Sequence, residues 1–259
     1  MIKSLKSFYV ALVVFKSRLQ YRLRHLLKTT TLKGVKLIIN DDEVLSKDAL
    51  LSIFQGGYED KENEILKDHL AANDIVIELG TSVGFNAISI AKLNGGKILS
   101  YEANPRLLSL IKKNQQLNRV SFEVRNKVLV TNKDAASKIA FNIAENPCMS
   151  SSKRFVLKEQ VMKEVLEVET EYAGEVFDSL LPTFLVVDIE GGEEDFFRNV
   201  DLIAQSTIQK ILLEVHPEII GEEACKVIVN DLLQAGFAIA SKSNDKTVLF
   251  FTRNSQYPG

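Results

Sequence analysis

The sequence predicts an α/β fold: a doubly wound, mostly parallel sheet with one antiparallel edge strand and an N-terminal helical extension. Short apolar runs alternate with segments of helical periodicity, which is the pattern of strands and helices wound about one sheet. Polar residues follow these runs at their carboxyl ends, where open α/β sheets bind ligands. Residues 237–240 and 248–252 are apolar runs separated by a polar turn, which predicts the antiparallel strand.

The composition is that of a globular protein large enough for one domain with an extension. The 259 residues are 46% hydrophobic and 25% charged. Residues 1–40 hold nine of the 32 Lys and Arg and none of the 34 Asp and Glu, so the rest carries a net charge of −11. Such an acidic body disfavours a nucleic-acid partner, which needs a basic surface. We divide the chain into an extension, 1–34, and a domain, 35–259. Within the extension, the three threonines at 29–31 are read as a linker that ends at Gly34.

The extension has the pattern of a basic amphipathic helix, because apolar residues recur at helical spacing with Lys and Arg between them. Through residues 1–28 it would form a homo-oligomer or pack on the domain, or it would make a peripheral membrane contact. Its apolar run at 8–15 is too short to span a bilayer, and no signal-peptide cleavage site follows. Two cysteines without metal-binding spacing favour a cytoplasmic location, at the inner face of the membrane if the helix binds there.

Residues 74–86 predict a strand, a glycine-rich turn and the start of a helix. The apolar run 75–77 precedes Glu78, and Gly80 and Gly84 follow it. Glycine allows a sharp turn and a close approach of ligand to backbone. The pattern E-x-G-x-x-x-G lacks a glycine of the dinucleotide fingerprint G-x-G-x-x-G. It therefore favours a nucleoside site without a pyrophosphate.

The second strand, at 97–101, ends in an acid that fits a ribose. Glu102 follows it, 24 residues after Glu78. A carboxylate at this place in a nucleotide-binding sheet accepts hydrogen bonds from ribose hydroxyls. Asn104 and Pro105 then cap and begin a helix.

Two later apolar runs, 184–187 and 211–213, predict neighbouring buried strands. The polar residues at their carboxyl ends are Asp188, Glu190, Glu214 and His216. Because the ends of parallel strands meet at one edge of a sheet, these side chains are expected to converge with Glu78 and Glu102.

Four further expectations concern the remaining segments. A third strand is expected at 121–130, and a half-exposed strand outside the central sheet at 166–172. A small hairpin is expected between 35–40 and 44–46. Residues 143–153 are expected to form a long loop that contacts substrate.

These motifs resemble the FkbM family of S-adenosylmethionine-dependent methyltransferases. The residues that carry the resemblance are 74–85, 101–105, 187–193 and 213–216, within about residues 40–255. Gly57-Tyr58-Glu59 also matches the family pattern. The resemblance implies a class I methyltransferase (Rossmann-like) fold and transfer of a methyl group to a hydroxyl oxygen of a sugar, glycan or secondary metabolite. It also implies S-adenosylhomocysteine as the product.

The chain departs from the family pattern at three places. Glu78 stands where the family usually has Asp, and Gly80-Thr81-Ser82-Val83-Gly84 stands for the usual G-A-N-I-G. Both changes are conservative for cofactor binding. Val186 stands where a Lys is frequent, two residues before Asp188, which affects expectations about substrate or catalysis.

The expected cofactor site follows the order of the strands. The ribose hydroxyls are assigned to Glu102, and the methionine end to the turn with Glu78, Gly80 and Gly84. Adenine is expected near residues 126–128. The complete set of expected cofactor contacts is Tyr58, Glu78, Gly80, Thr81, Ser82, Gly84, Phe85, Glu102, Ala103, Asn126, Lys127, Val128 and Asp188.

Methyl transfer requires an in-line arrangement of donor and acceptor and a base for the hydroxyl proton. His216 or Asp188 is expected to be that base, with Glu190 beside them, because imidazole titrates near neutral pH and a nearby carboxylate raises its basicity. The alternative is a divalent metal held by Asp188, Glu190 and His216, which would polarise the hydroxyl.

Two other functions are compatible with the fold. A nicotinamide-dependent oxidoreductase would share the sheet, but the pyrophosphate glycines are missing. A non-catalytic methyltransferase-like binding module would bind a partner without turnover. Retention of the whole set of acidic and glycine residues disfavours it.

Overall fold

The computed structural model describes residues 2–144, 162–244 and 246–254, and the α/β fold is confirmed. Seven strands of the described residues form the central sheet. In chain order they are β3 Val76–Leu79, β4 Ile98–Tyr101, β5 Glu123–Arg125, β9 Phe184–Val187, β10 Lys210–Glu214, β11 Phe237–Lys242 and β12 Val248–Arg253. Their order across the sheet is β11-β12-β10-β9-β3-β4-β5. The antiparallel strand is β12, which lies one place inside the edge because its hairpin partner β11 covers it.

Helices bury both faces of this sheet, which makes it doubly wound. The helices are α1 Ile2–Leu27, α2 Lys47–Gln55, α3 Asp60–His69, α4 Phe85–Asn94, α5 Leu108–Asn118, α6 Ala173–Leu180, α7 Glu193–Phe197, α8 Val200–Ala204, α9 Pro217–Ile220 and α10 Glu222–Gln234. On β3, Ile77 packs in a cluster with α6, α7 and α10, and its neighbour Val76 packs with α3 and α4. Successive strand residues point to opposite faces, so one apolar run contributes to both cores.

A second, three-stranded sheet lies outside the central one. Its strands are β6 Val128–Val130, β7 Lys138–Ala144 and β8 Met162–Tyr172, in the order β6-β8-β7. The half-exposed strand expected outside the central sheet is confirmed as β8. The single strand expected at 121–130 is wrong, because the chain leaves the central sheet between β5 and β6. At this break Asn126 Nδ2 donates hydrogen bonds to the carbonyl oxygens of Glu102 and Ala103, at 2.8 and 3.0 Å.

The hairpin near the N-terminus differs from the expected one. Strands β1 Thr29–Leu32 and β2 Val35–Ile38 pair antiparallel, so the segment read as a linker is a strand. The turn residues Lys33 and Gly34 have φ of 46° and 88°. Two central residues with positive φ form the turn type that matches the twist of a hairpin. This pair crosses residue 34, and the division into 1–34 and 35–259 stays a prediction.

Helix α1 is attached to the domain along one face. Ser17 is fully buried and lies 3.4 Å from Gln55 Nε2 of α2. Arg24 donates two hydrogen bonds to the Asp42 carboxylate, at 2.8 and 2.9 Å. In the part of the chain that the structure describes, no helix has the length and apolarity needed to cross a membrane.

The loop expected at 143–153 begins with the last two residues of β7, and the remainder, 145–153, lies outside the described residues.

Candidate active site

A cavity of 1020 Å³ opens at the carboxyl ends of β3, β4 and β9. Its walls also include the segment before α3, the first turns of α7 and residues of β6 and β7. Glu102, Asp188 and Glu190 line it, so the strand ends converge as the topology predicts.

The glycine turn forms the floor of this cavity. Gly80 has φ of 89°, and a Cβ added there would overlap the carbonyl oxygen of Asp188. Only glycine allows both the left-handed backbone and this close approach of the β3 and β9 ends. Ser82 also has positive φ, at 50°, and the Gly84 N–H closes the turn on the Thr81 carbonyl at 2.8 Å.

Glu102 is held by the backbone around it. Its Oε2 accepts a hydrogen bond from the Ser82 N–H and its Oε1 one from the Asn104 N–H, both at 2.7 Å. The side chain is 6% exposed. Burial raises the pKa of Glu102 to about 7, against the lowering effect of the two N–H donors.

Glu78 lies behind the turn and not on the cavity wall. It is 2% exposed, and no described residue makes a hydrogen bond with its Oε2. Burial raises the pKa of Glu78 to about 8, opposed by the nearby hydroxyl groups of Ser100 and Thr81. It therefore shapes the floor from within the core.

Tyr58 links the segment before α3 to the glycine turn. Its hydroxyl lies 3.0 Å from Ser82 Oγ, and its ring meets Phe85 edge to face with centroids 6.0 Å apart. Phe85 is fully buried and supports Tyr58 from below. The next residue, Glu59, lines the cavity, and burial together with Asp188 raises its pKa well above the ordinary value.

An acidic cluster with one imidazole occupies the ends of β9 and β10. His216 Nδ1 lies 2.9 Å from Glu193 Oε1, and Glu193 is fully buried. His216 Nε2 lies 3.5 Å from Asp188 Oδ1 and 3.6 Å from Glu190 Oε2. Ligand atoms of Asp188, Glu214 and His216 lie within 4.8 Å of one another.

Mutual repulsion and burial perturb the titration of this cluster. Burial raises the pKa of Asp188, that of Glu190 to about 8 and that of Glu214 to about 10, and the Asp188 charge adds to the last two. Burial alone would lower the pKa of His216. Its hydrogen bond with Glu193 and the nearby carboxylates raise it to about 10 instead.

A family model described as "Methyltransferase FkbM domain" matches residues 71–245. This span runs from the start of β3 to the turn before β12 and covers the glycine turn, Glu102 and the acidic cluster. The chain belongs to the FkbM methyltransferase family. Its class I, Rossmann-like fold and its methyltransferase function follow from this membership.

Solved structures resemble this methyltransferase at low identity. Precorrin-6y C5,15-methyltransferase from Geobacter metallireducens GS-15 shares 14% identity over 84% of this chain and 97% of its own, with a TM-score of 0.47. A methyltransferase from Pyrococcus furiosus shares 11% over 96% and 99%, with a TM-score of 0.47. Fibrillarin from Aeropyrum pernix, solved with S-adenosyl-L-methionine, shares 12% over 74% and 73%, with a TM-score of 0.40. No curated protein matches the chain.

The predicted site residues of this methyltransferase divide into two groups. On the cavity wall lie Tyr58, Gly80, Ser82, Glu102, Ala103, Lys127, Val128, Asp188 and Glu190. Behind that wall lie Glu78, Thr81, Gly84, Phe85, Asn126 and His216. The functional roles assigned to both groups stay predictions.

Sequence reasoning gave no role to two acids that the structure places in the site. Glu193 is the last residue of the D-x-E-x-x-E motif, and Glu59 ends the Gly57-Tyr58-Glu59 motif. Both motifs were visible as family features. The pairing of Glu193 with His216 was not, because it joins residues 23 apart in the chain.

Proposed function

We propose that this methyltransferase uses S-adenosylmethionine to methylate a hydroxyl oxygen of a sugar, glycan or secondary metabolite. The observation that carries the proposal is the Glu102 carboxylate. A carboxylate has about four acceptor positions, and the N–H groups of Ser82 and Asn104 occupy two. The two that remain, on a group that lines the cavity, match the two hydroxyls of a ribose.

The rest of the cavity fits the cofactor by charge and shape. Its acidic lining complements the sulfonium and ammonium groups of S-adenosylmethionine. Gly80 keeps the floor free of side chain, so the backbone can approach the methionine end. Ala103 and Val128 supply apolar surface for adenine. When bound, the cofactor supplies an electrophilic methyl group.

The charge of the cavity lining favours a neutral hydroxyl compound as acceptor. Acidic side chains in this lining outnumber basic ones: Asp48, Glu59, Glu102, Asp188, Glu190 and Asp195 stand against Lys127 and Arg198. A polyanionic acceptor would be repelled by this surface. A hydroxyl must lose its proton during transfer, and the carboxylates of Asp188 and Glu190 line the cavity where that proton would leave. His216 lies behind them, so it does not take the proton directly.

The first test is calorimetric titration of S-adenosylhomocysteine into the purified full chain and into Glu102→Ala. Loss of the ribose contacts is expected to weaken binding by about 10²- to 10⁴-fold, the value of two hydrogen bonds to a charged group. NAD⁺ in place of S-adenosylhomocysteine is expected to give no heat. Binding of NAD⁺, or equal affinity of both proteins for S-adenosylhomocysteine, would contradict the proposal.

The second test follows a labelled methyl group from S-adenosylmethionine to candidate acceptors. Glycosides and polyketide-type alcohols are compared with their amino analogues. Label is expected in the hydroxyl compounds. Label found only in amines or RNA would refute O-methylation, and cofactor binding without any transfer would favour the non-catalytic module.

A further inference from the structure

The ends of β9 and β10 bring one imidazole and two carboxylates to a single point. The two strands are parallel neighbours with Val187 opposite Leu213, so the residues that follow them adjoin. Asp188, Glu214 and His216 each direct one ligand atom to this point, and these atoms lie within 4.8 Å of one another. The set joins oxygen with nitrogen and comes from two strands, so it is not merely a run of surface acids.

The orientation of His216 is fixed from behind. Glu193 has no exposed surface, and its Oε1 accepts the N–H groups of Ile189 and Gly191 at 3.3 and 3.2 Å. The same oxygen lies 2.9 Å from His216 Nδ1. Metal-binding histidines usually donate their second ring N–H to a carboxylate in this way, which holds the other nitrogen toward the ion.

The distance between His216 Nε2 and the nearest carboxylate oxygen suits a shared ion better than a direct hydrogen bond. His216 Nε2 lies 3.5 Å from Asp188 Oδ1, beyond the usual N–H···O distance of about 2.7–3.2 Å. Two atoms that each bind one ion at about 2.1 Å lie at most about 4.2 Å apart, so 3.5 Å fits a shared ion. Asp188 Oδ1 is buried, and none of the described residues makes a hydrogen bond with it.

We propose that Asp188, Glu214 and His216 bind a divalent cation of the Mn²⁺ or Mg²⁺ class. Carboxylate ligands suit Mg²⁺ and Mn²⁺, and here they outnumber the imidazole two to one. Glu193 is the carboxylate that orients the imidazole. The sequence suggested Glu190 as a ligand of the cation, and Glu214 replaces it in this proposal. Glu190 then remains on the cavity wall as the proton acceptor.

This inference rests on the proposed function, because it names how the acceptor hydroxyl is activated. Asp188 belongs both to the ligand set and to the cavity wall. A cation bound there lies next to the acceptor side, and it would supply Lewis-acid polarisation of the hydroxyl.

The test is a Mn²⁺ titration of the chelator-treated full chain, with free Mn²⁺ measured by electron paramagnetic resonance. One Mn²⁺ per chain is expected, displaced by excess Mg²⁺. Glu214→Gln is expected to weaken Mn²⁺ binding at least tenfold. Glu218→Gln removes an equal charge from the next helix outside the ligand set, and it is expected to change the affinity less than threefold.

A second variant guards against misfolding of the first. Glu193→Gln leaves all three ligands in place but weakens the acceptor for the imidazole N–H, and about tenfold weaker Mn²⁺ binding is expected. Circular dichroism checks that each variant is folded. Absence of Mn²⁺ binding to the folded parent, or equal binding by the parent and Glu214→Gln, would overturn the cation site.

The same samples separate this inference from the proposed function. Titration of S-adenosylhomocysteine into the chelated protein reports the cofactor site alone. Cofactor binding without Mn²⁺ binding would refute only the cation site. Mn²⁺ binding without cofactor binding would refute only the proposed function.

A different observation concerns the outer face of α1. The stripe formed by Leu12, Phe15, Leu19, Leu23 and Leu26 is 39–80% exposed, although Phe15 and Leu26 are large apolar residues. It lies on the side opposite the buried Ser17, which faces α2. The stripe therefore has no cover within the described chain.

The charges beside the stripe indicate what covers it. Lys16, Arg18 and Arg22 are exposed on α1, and the helix has no acidic residue. Two copies of so basic a helix would repel each other in a side-by-side pair, whereas anionic lipid headgroups attract it. We infer that α1 binds the surface of an anionic membrane, with the stripe in the interface.

Vesicle flotation tests this inference with the full chain. Flotation is expected with phosphatidylcholine–phosphatidylserine vesicles and at least tenfold less with phosphatidylcholine alone. A variant with Leu12→Ser, Phe15→Ser and Leu19→Ser is expected to stay in solution. Leu181→Ser, which changes an exposed leucine elsewhere, is expected to float normally. A stable dimer that the triple variant abolishes, with no flotation of the parent, would overturn the membrane inference.

Discussion

Glu102 and Asp188 both follow parallel strands of the central sheet and both line the cavity, but their carboxylates have different surroundings. Both oxygens of Glu102 accept backbone N–H groups at 2.7 Å. Asp188 Oδ1 is buried, has no hydrogen-bond partner among the described residues, and lies among Glu190, Glu214 and His216. The Glu102 carboxylate is thus held in place by the folded backbone, whereas the Asp188 cluster holds charge that a ligand must compensate.

This difference separates binding from chemistry. A carboxylate fixed by the backbone gives a rigid contact for a cofactor that every reaction cycle shares. An unsatisfied cluster is costly for folding, and such residues persist mainly where a functional site requires them. The following substitutions test whether the Glu102 site and the Asp188 cluster act independently, as their separate hydrogen bonding suggests.

Gly80→Ala should have the largest effect on stability, because the turn after β3 contacts the end of β9 at this residue. The new Cβ would overlap the Asp188 carbonyl oxygen, at a backbone φ of 89° that alanine adopts poorly. Together the overlap and the strain should lower the free energy of unfolding by about 5 kcal/mol. Thermal unfolding measures this loss.

Gly95→Ala is the matched control, since Gly95 has φ of 73° with open space around its Cβ position. A loss of only about 1–2 kcal/mol is expected there. Equal losses in the two variants would show that the contact with Asp188 does not matter.

Glu190→Gln should slow catalysis without weakening the binding of the cofactor product or the cation. An amide cannot accept the acceptor's proton, so kcat is expected to fall about 10²- to 10⁴-fold. Affinity for S-adenosylhomocysteine and Mn²⁺ should stay within threefold of the parent. Turnover with the acceptor identified by the labelling test measures the effect, and near-normal kcat would exclude Glu190 as the base.

Glu78→Gln should change how the stability of the folded protein depends on pH. The pKa of Glu78 is about 8 in the folded chain, above the ordinary 4.5, so the folded state holds a proton that the unfolded state has lost. The parent should therefore lose stability as pH rises from about 5 to 8. The glutamine variant does not titrate, so its advantage over the parent should grow across this window, by up to about 4 kcal/mol.

Urea unfolding at pH 5, 6.5 and 8 measures this difference for Glu78→Gln. The exposed Glu175→Gln serves as control and should show no such trend. A pH-independent difference for Glu78→Gln would mean that Glu78 is ionised in the folded protein throughout.

Tyr58→Phe should have the smallest effect. It tests whether the segment before α3 supports cofactor binding through its contact with the glycine turn. It removes the contact between the hydroxyl and Ser82 Oγ at 3.0 Å but keeps the ring on Phe85. S-Adenosylhomocysteine affinity is expected to fall about fivefold, or about 1 kcal/mol. Tyr9→Phe, on the exposed helix α1, should leave the affinity unchanged.

The position of the glycine turn and of Glu102 at one edge of the sheet could be predicted from the sequence because the signals for it are local. Strand, glycine turn, helix and the acid after the next strand lie within one stretch of the chain, and parallel topology brings their ends together. Glu102 was therefore identified before its contacts were known. The β11–β12 hairpin was also predicted, from the polar turn between its two apolar runs.

The acidic cluster could be predicted only in outline. The sequence placed Asp188, Glu190, Glu214 and His216 at the ends of neighbouring strands, but it could not say which acids approach the imidazole. That depends on the turn after β9, where Glu190 and Gly191 both adopt positive φ and Glu193 returns to His216. The β1–β2 hairpin was missed because three threonines were read as a linker, while the Lys33-Gly34 turn was overlooked.

The overlap that a side chain at residue 80 would suffer also limits how this enzyme can diverge. The cofactor floor and the start of the acidic turn touch through backbone atoms, so neither can be remodelled alone. New acceptor preferences must then arise on walls built from other elements, such as residues 48–58 and the strands β6 and β7. Substitutions in those surface segments can therefore change the walls of the cavity while the backbone contact between Gly80 and Asp188 stays intact.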